Sequence, residues 1–262
     1  TCSDEKKDLS ILYTNLHGAG LTLIPKALNQ WGFTNLSYVK EQTSFDGNFP
    51  FAKRPNPEED EAMEPGKEKM EKEKIDLFIA SDTDSDRIGA FALHDNKGIR
   101  ITGNEMACLC LYYLGKTIPQ KKEAYCVKTI VTSELFASIA KSFNYDCKDV
   151  LTGFKYIGQE VENNPSGFVF GAEESCGYLY GTNVRDKDAV ILACLIAEMA
   201  HTQKKKNKTL VDLLYELYEE YGVYRESLVS VHFPETAEGQ HTMQKIMENL
   251  RSKHIQNIDN TP

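Results

Sequence analysis

Asp82, Asp84 and Asp86 alternate with Thr83 and Ser85 and run directly into Arg87. The stretch before them, Ile75–Ser81, is a short apolar run bounded by a polar turn, the signature of a buried strand. Three carboxylates at one strand end repel one another in a dry setting unless a cation sits among them. Hard divalent ions such as Mg²⁺ take oxygen ligands and usually keep phosphate and water beside them. The spacing points to a metal site for phosphoryl chemistry.

Other chemistries place carboxylates this way. A calcium-binding EF-hand loop needs glycine at its sixth position and glutamate at its twelfth, where this chain has Arg87 and Leu93. An aspartyl-phosphate enzyme would use Asp82 as nucleophile but leave the third carboxylate and the arginine without a role. A three-carboxylate Mg²⁺ site beside a phosphate, with Arg87 as anion ligand, uses all four residues. A solvated acidic turn is the alternative without chemistry.

These residues must be positioned by a fold, and the chain is long enough at 262 residues for one large or two ordinary domains. A hydrophobic fraction of 41% fits a globular protein. The net charge of −9 argues against nucleic acid as a partner. The lysine runs at 67–74 and 204–208 read as solvated surface. No apolar run approaches the ~18 residues of a membrane span, and none of the 262 residues is expected to form a signal peptide. The seven cysteines are odd in number and form no CxxC pair, which suggests reduced thiols and a cytoplasmic protein.

The fold class is α/β. Ile11–Thr14 and Ser37–Val39 read as strands around a helix from Leu21 to Trp31. A helix is possible in the second half of the charged stretch from Glu41 to Lys74. Strands follow at Ile75–Ser81 and Ile88–Leu93, with a hairpin turn at Asn96–Gly98. Thr102 to Glu105 fits a capping box opening a helix through Leu114. A second alternating unit has a strand at Tyr125–Ile130 and a helix at Ser133–Phe143. A strand end follows at Val150–Gly153, then a helix from about Tyr156 to Glu162 and a strand at Phe168–Gly171. Helices at Asp186–His201 and Thr209–Tyr221 complete it. Such alternation implies mixed α/β units with mostly parallel sheets, whose functional loops lie at the carboxyl ends of strands. The expected division is a frayed tail over 1–8, α/β domains over 9–101 and 102–225, and the truncated start of an α+β domain over 226–262. That last part has a strand at Ser227–Phe233 and a helix at Ala237–Arg251.

Asp82–Arg87 resembles the metal loop D-G-D-x-D-R of the α-D-phosphohexomutase superfamily, with Thr83 and Ser85 replacing the usual glycines. Further segments resemble that family in its own order. Tyr13-Thr-Asn-Leu-His-Gly-Ala-Gly20 is similar to the turn opening its second domain, and Arg54-Pro-Asn-Pro-Glu58 to its P-N-P-E segment. Leu151-Thr-Gly-Phe-Lys-Tyr-Ile-Gly158 is similar to a T-G-F-K-x-x-G segment of the third domain. Ala172-Glu-Glu-Ser-Cys-Gly177 resembles the sugar-recognition loop G-E-E-S-x-G, with Ala172 for the first glycine, and Arg185-Asp-Lys-Asp188 the R-[DE]-K-D after it. The resemblance covers nearly all of residues 9 to 251, in the branch of phosphoglucomutases, phosphomannomutases and phosphopentomutases.

The resemblance implies an enzyme that interconverts sugar 1- and 6-phosphates of glucose or mannose, or 1- and 5-phosphates of pentoses. A phosphoserine and a sugar bisphosphate carry the phosphoryl group, with Mg²⁺ as cofactor and the bisphosphate as activator. It assigns the metal to Asp82, Asp84 and Asp86, phosphoryl charge to Arg87, sugar hydroxyls to Glu173 and Ser175, and substrate support to Thr152 and Gly153. Lys187 matches a lysine proposed as general acid/base, a role that needs a lowered pKa; Lys155 is the runner-up. His17 is expected to make a structural hydrogen bond. No T-A-S-H-N-P-like serine loop and no R-x-S-G-T-E-P phosphate loop occurs in the 262 residues. The expected partners are therefore a sugar phosphate and missing domains of the same polypeptide, with no mutase turnover by this chain alone. A non-catalytic module binding metal and sugar phosphate is the alternative.

Overall fold

Two fully buried strands, β1 (Ile11–Thr14) and β3 (Leu77–Ser81), form the centre of the first sheet. The computed structural model describes residues 6–227, 231 and 233–252. The chain divides into two compact units, one reaching to Tyr224 and one beginning at Arg225.

In the first unit, β2 (Leu36–Tyr38) and β3 flank β1 in parallel, and the antiparallel pair β4 (Ile88–His94) and β5 (Lys97–Ile101) extends the sheet beyond β3. The second sheet repeats the plan. There β6 (Tyr125–Thr129) lies between β7 (Asp146–Val150) and β8 (Phe168–Glu173) in parallel, and β9 (Gly177–Tyr180) adds an antiparallel edge. Both sheets are thus mixed, as an α/β fold with hairpin extensions requires.

Helices α1 (Ile24–Gln30) and α2 (Asp60–Glu73) serve the first sheet. Helices α3 (Gly103–Thr117), α4 (Glu134–Ser142) and α5 (Phe154–Asn163) pack against the second. The apolar helix α6 (Ala189–Lys204) packs on α1, β3 and β9, so one continuous core joins the two sheets. Helix α7 (Leu210–Tyr221) closes that core. The second unit contains α8 (Ala237–Ser252). None of the helices among the described residues is long and apolar enough to cross a membrane. The described cysteines form no disulfide.

Several expectations shift. The helix expected over Leu21–Trp31 splits into a 3₁₀ turn at Ala19–Thr22 and α1, because Pro25 in the first helical turn starts a helix better than it continues one. The hairpin turn lies at Asp95 and Asn96, both with positive φ, and Lys97 already belongs to β5. Helix α6 begins at Ala189 rather than Asp186, since the Asp188 carboxylate caps it by accepting from the Val190 and Ile191 amides. The tail is not loose at Lys7, whose amide donates to the Gly32 carbonyl and whose ammonium lies 2.5 Å from Glu198; residues 1–5 lie outside the described residues. Of the strand expected at Ser227–Phe233, residues 228–230 and 232 lie outside them too.

The capping box on α3 is formed as its sequence predicts. Thr102 Oγ1 accepts from the Glu105 amide at 3.3 Å, and Glu105 Oε2 from the Thr102 amide at 2.7 Å. Thr102→Ala should cost about 1 kcal/mol, read as a lower urea midpoint at unchanged slope. An unchanged midpoint would show that the cap contributes nothing.

Candidate active site

The site is built where β3 and β8 end. After Ser81 the chain turns so that Asp82 Oδ1 accepts from the backbone amides of Asp86 and Arg87, each at 3.1 Å. Ser85 adopts φ 64 in that turn, a conformation that glycine takes more easily. The turn brings one oxygen from each of Asp82, Asp84 and Asp86 within 4.8 Å of one another. These hard oxygen donors suit Mg²⁺. Burial pushes the Asp82 carboxyl up to about 7; the Arg87 amide opposes the rise, and the charges of Asp86 and Asp84 add to it. A cluster short of positive charge is what a divalent cation would relieve, so the residues fit the ion.

The turn after β1 braces this loop. The Ala19 amide donates to the Thr83 carbonyl at 2.8 Å, and a Cβ on Gly18 would lie 2.3 Å from Thr83 Cα, so only glycine allows the approach. His17 is buried, with Nδ1 2.9 Å from the Ser44 carbonyl oxygen. Arg87 Nε lies 3.8 Å from both Asp82 and Asp86, and its guanidinium reaches Glu58 of the P-N-P-E segment at 3.5 Å.

Glu173, at the end of β8, is buried, and its Oε1 accepts from the Gly153 amide at 2.8 Å. Burial raises its pKa; that amide, Lys187 and Arg87 work the other way. Gly153 has φ 125 and caps α5, so the T-G-F-K segment is tied to the loop after β8 through one hydrogen bond. Ser175 is half-buried in that loop, and Thr152 is exposed beside Gly153.

The two loops are stitched together. Arg87 and Gly177 form an isolated antiparallel bridge, and the Ile88 amide donates to the Cys176 carbonyl at 3.0 Å. Lys187 crosses this seam. Its ammonium lies 2.8 Å from Asp86 and 3.4 Å from Asp186, and 5.3 Å from the centre of the Phe154 ring. Burial by itself would lower the Lys187 pKa, but the bonds to Asp86 and Asp186 outweigh it and hold the ammonium above the usual lysine range. The lowered pKa that general-base work requires is therefore not found. Lys155 is exposed, with its ammonium 5.0 Å from the Tyr156 ring centre, and stands outside this cluster.

Three contributors have contacts that the sequence does not disclose. Glu58 is one. Glu174 is another: its carboxylate accepts from Thr129 at 3.0 Å and Thr132 at 3.4 Å, anchoring the loop to the end of β6. The third is Gly103, where a Cβ would lie 1.7 Å from the Glu174 carbonyl oxygen. The capping box located that glycine but not what it packs against.

Known proteins bear on this arrangement. A family model described as phosphoglucomutase/phosphomannomutase, alpha/beta/alpha domain II, matches residues 2–95, and its domain III counterpart matches residues 102–221. A phosphoglucomutase from Staphylococcus aureus strain MRSA252 is 36% identical over 257 residues, which are 97% of this chain and 46% of the relative. The chain thus spans about half the length of the curated relatives it matches. A phosphoglucomutase/phosphomannomutase family protein from Burkholderia thailandensis shares the fold at TM-score 0.71 and 17% identity, over 98% of this chain and 50% of its own. An Aspergillus fumigatus N-acetylphosphoglucosamine mutase, solved with GlcNAc-6P and magnesium, aligns at TM-score 0.51 and 16% identity, over 89% and 49% of the two chains. With matches to two successive domains in order, the chain belongs to the phosphoglucomutase/phosphomannomutase family of the α-D-phosphohexomutase superfamily.

Proposed function

We propose that this chain is the central part of a mutase that interconverts the 1- and 6-phosphates of glucose or mannose through a phosphoserine and a sugar bisphosphate. The observation that carries the reading is the seam itself. The acidic loop and the Glu173 loop are bridged at Arg87 and Gly177, with Lys187 lying across both. In the division expected from sequence, residues 9–101 supply the metal loop and 102–225 the sugar loop, with 226–262 opening a further domain.

Asp82, Asp84 and Asp86 would hold Mg²⁺, the ion named with the Aspergillus mutase. When bound, the ion supplies charge neutralisation to phosphoryl oxygens. Arg87 presents its guanidinium to the same oxygens, fixed by its contacts to Glu58 and the aspartates. Glu173 accepts hydrogen bonds from sugar hydroxyls, a task its two oxygens perform for either end of a sugar that turns over. Ser175, Thr152 and Gly153 line the sugar's approach. Lys187, held charged by Asp86 and Asp186, gives a hydrogen bond to the oxygen that changes partner; Lys155 is the second choice. A sugar bisphosphate primes the serine, and the parent enzyme works in the cytoplasm.

The test is a mutase assay of the longer protein that carries this chain, on glucose, mannose and pentose phosphates. Turnover should fall on the order of a hundredfold or more in Asp84→Asn. The 262 residues alone, lacking a serine-loop motif, should show none above background. Turnover by the chain alone, or an Asp84→Asn enzyme as fast as the original, would remove the proposal.

A further inference from the structure

The Lys187 ammonium sits on a carboxylate that the metal needs. Its side chain is only 14% exposed, its Nζ is 2.8 Å from Asp86 Oδ2, and Arg87 stands 3.8 Å from the other oxygen of the same residue. Three carboxylates therefore face two cations before any metal arrives. A divalent ion bound through Asp86 would stand within a few ångströms of Nζ, where like charges repel strongly at a partly buried site.

The geometry also provides a route away. The Lys187 stem crosses Gly177 so closely that a Cβ there would lie 2.4 Å from Lys187 Cδ and 3.1 Å from Cγ. The same point is 3.5 Å from Glu173 Oε2. With no side chain at Gly177, the Lys187 stem has room to pass between Asp86 and Glu173, and rotation of its outer torsions would carry the charge from the first toward the second. Glu173 already feels the Lys187 charge, which opposes the rise in its pKa.

We propose that Lys187 and the divalent cation compete for Asp86, so that metal binding passes the Lys187 ammonium from the metal loop to the sugar loop. The inference rests on the metal reading above and adds to it that loading the ion and placing the lysine beside the sugar carboxylate are one event. Lys187 is then a placeholder counterion in the metal-free chain, and Gly177 is a positioning residue because it leaves room for the lysine stem.

The experiment is a Mn²⁺ titration of this chain followed by electron paramagnetic resonance, with circular dichroism to confirm folding. Lys187→Met and Lys187→Gln should each bind Mn²⁺ about tenfold tighter than the original chain. Lys187→Arg, which keeps the charge, should stay near the original affinity. Neutral variants that bind with unchanged or weaker affinity overturn the competition, as does Lys187→Arg binding as tightly as they do. Asp84→Asn should bind Mn²⁺ far more weakly. If it binds as the original chain does, the metal reading itself fails, and the competition fails with it.

Discussion

Gly103→Ala should destabilise the first unit by about 3 kcal/mol, a fall of about 6–12 °C in melting temperature for a unit of this size. On helix propensity the sign would be the reverse, because alanine at a helical position gains up to about 1 kcal/mol over glycine. Sterics decide it. A Cβ on Gly103 would meet the Glu174 carbonyl oxygen at 1.7 Å, its carbon at 2.7 Å and the Cys176 amide nitrogen at 3.0 Å. All three are backbone atoms, so no side chain can rotate out of the way. Either α3 retreats, weakening the bond from the Tyr178 hydroxyl to the Gly103 carbonyl, or the loop at 174–176 shifts and carries Glu173 with it. Amide exchange over residues 173–177 should therefore quicken along with the loss in melting temperature. Gly47→Ala is the control: its Cβ meets nothing within 4 Å, and its melting temperature should hardly change. A Gly103→Ala chain that melts with the original would show that the contact is not tight.

The contrast between Gly103 and Asp82 marks what a sequence can disclose. The acidic loop is legible because its chemistry lies within six residues, an apolar strand running into alternating carboxylates and an arginine. The α3 cap is legible for the same reason, since Thr102 and Glu105 satisfy each other locally. What escapes is pairing across distance. Nothing near Gly103 announces Glu174, and nothing near Arg87 announces Gly177; these contacts exist only once two sheets share a core. Strand β7 was expected only at its end because Asp146, Lys148 and Asp149 give an edge strand no apolar alternation. Strand β9 has no expectation behind it, since the segment that reads as a functional loop ends at Gly177 and the next three residues are too few to show an alternation, yet Gly177 to Tyr180 pair along β8. Lys187 shows the same limit in its electrostatics. Its place in a family motif suggests a lowered pKa, whereas its neighbours Asp86 and Asp186 raise it.

Mn²⁺ affinity of the chain should fall about tenfold for each pH unit below about 7 and level off above it, because Asp82 must lose a proton before it can bind the ion. Burial is the main reason its carboxyl rises from an ordinary 3.8 to about 7, with Asp86 and Asp84 adding to the effect. The same shift fixes the sign of a second effect, on the metal-free chain. A carboxyl raised on folding binds its proton more tightly in the folded state, so its contribution to stability is full below about 3.8 and gone above about 7. Through that window, rising pH destabilises the metal-free chain and strengthens metal binding. The two trends separate the explanation from a general loss of structure in acid, which would weaken both together. Asp82→Asn removes the titrating group: its urea midpoint should lose the decline between about pH 4 and about pH 7 that is expected of the original chain. Titrations at about pH 5.5, 6.5, 7.5 and 8.5 give the affinity profile. An affinity that stays flat from the lowest of these to the highest would mean that Asp82 is already ionised in the folded chain, and that the cluster is less short of positive charge than its burial implies.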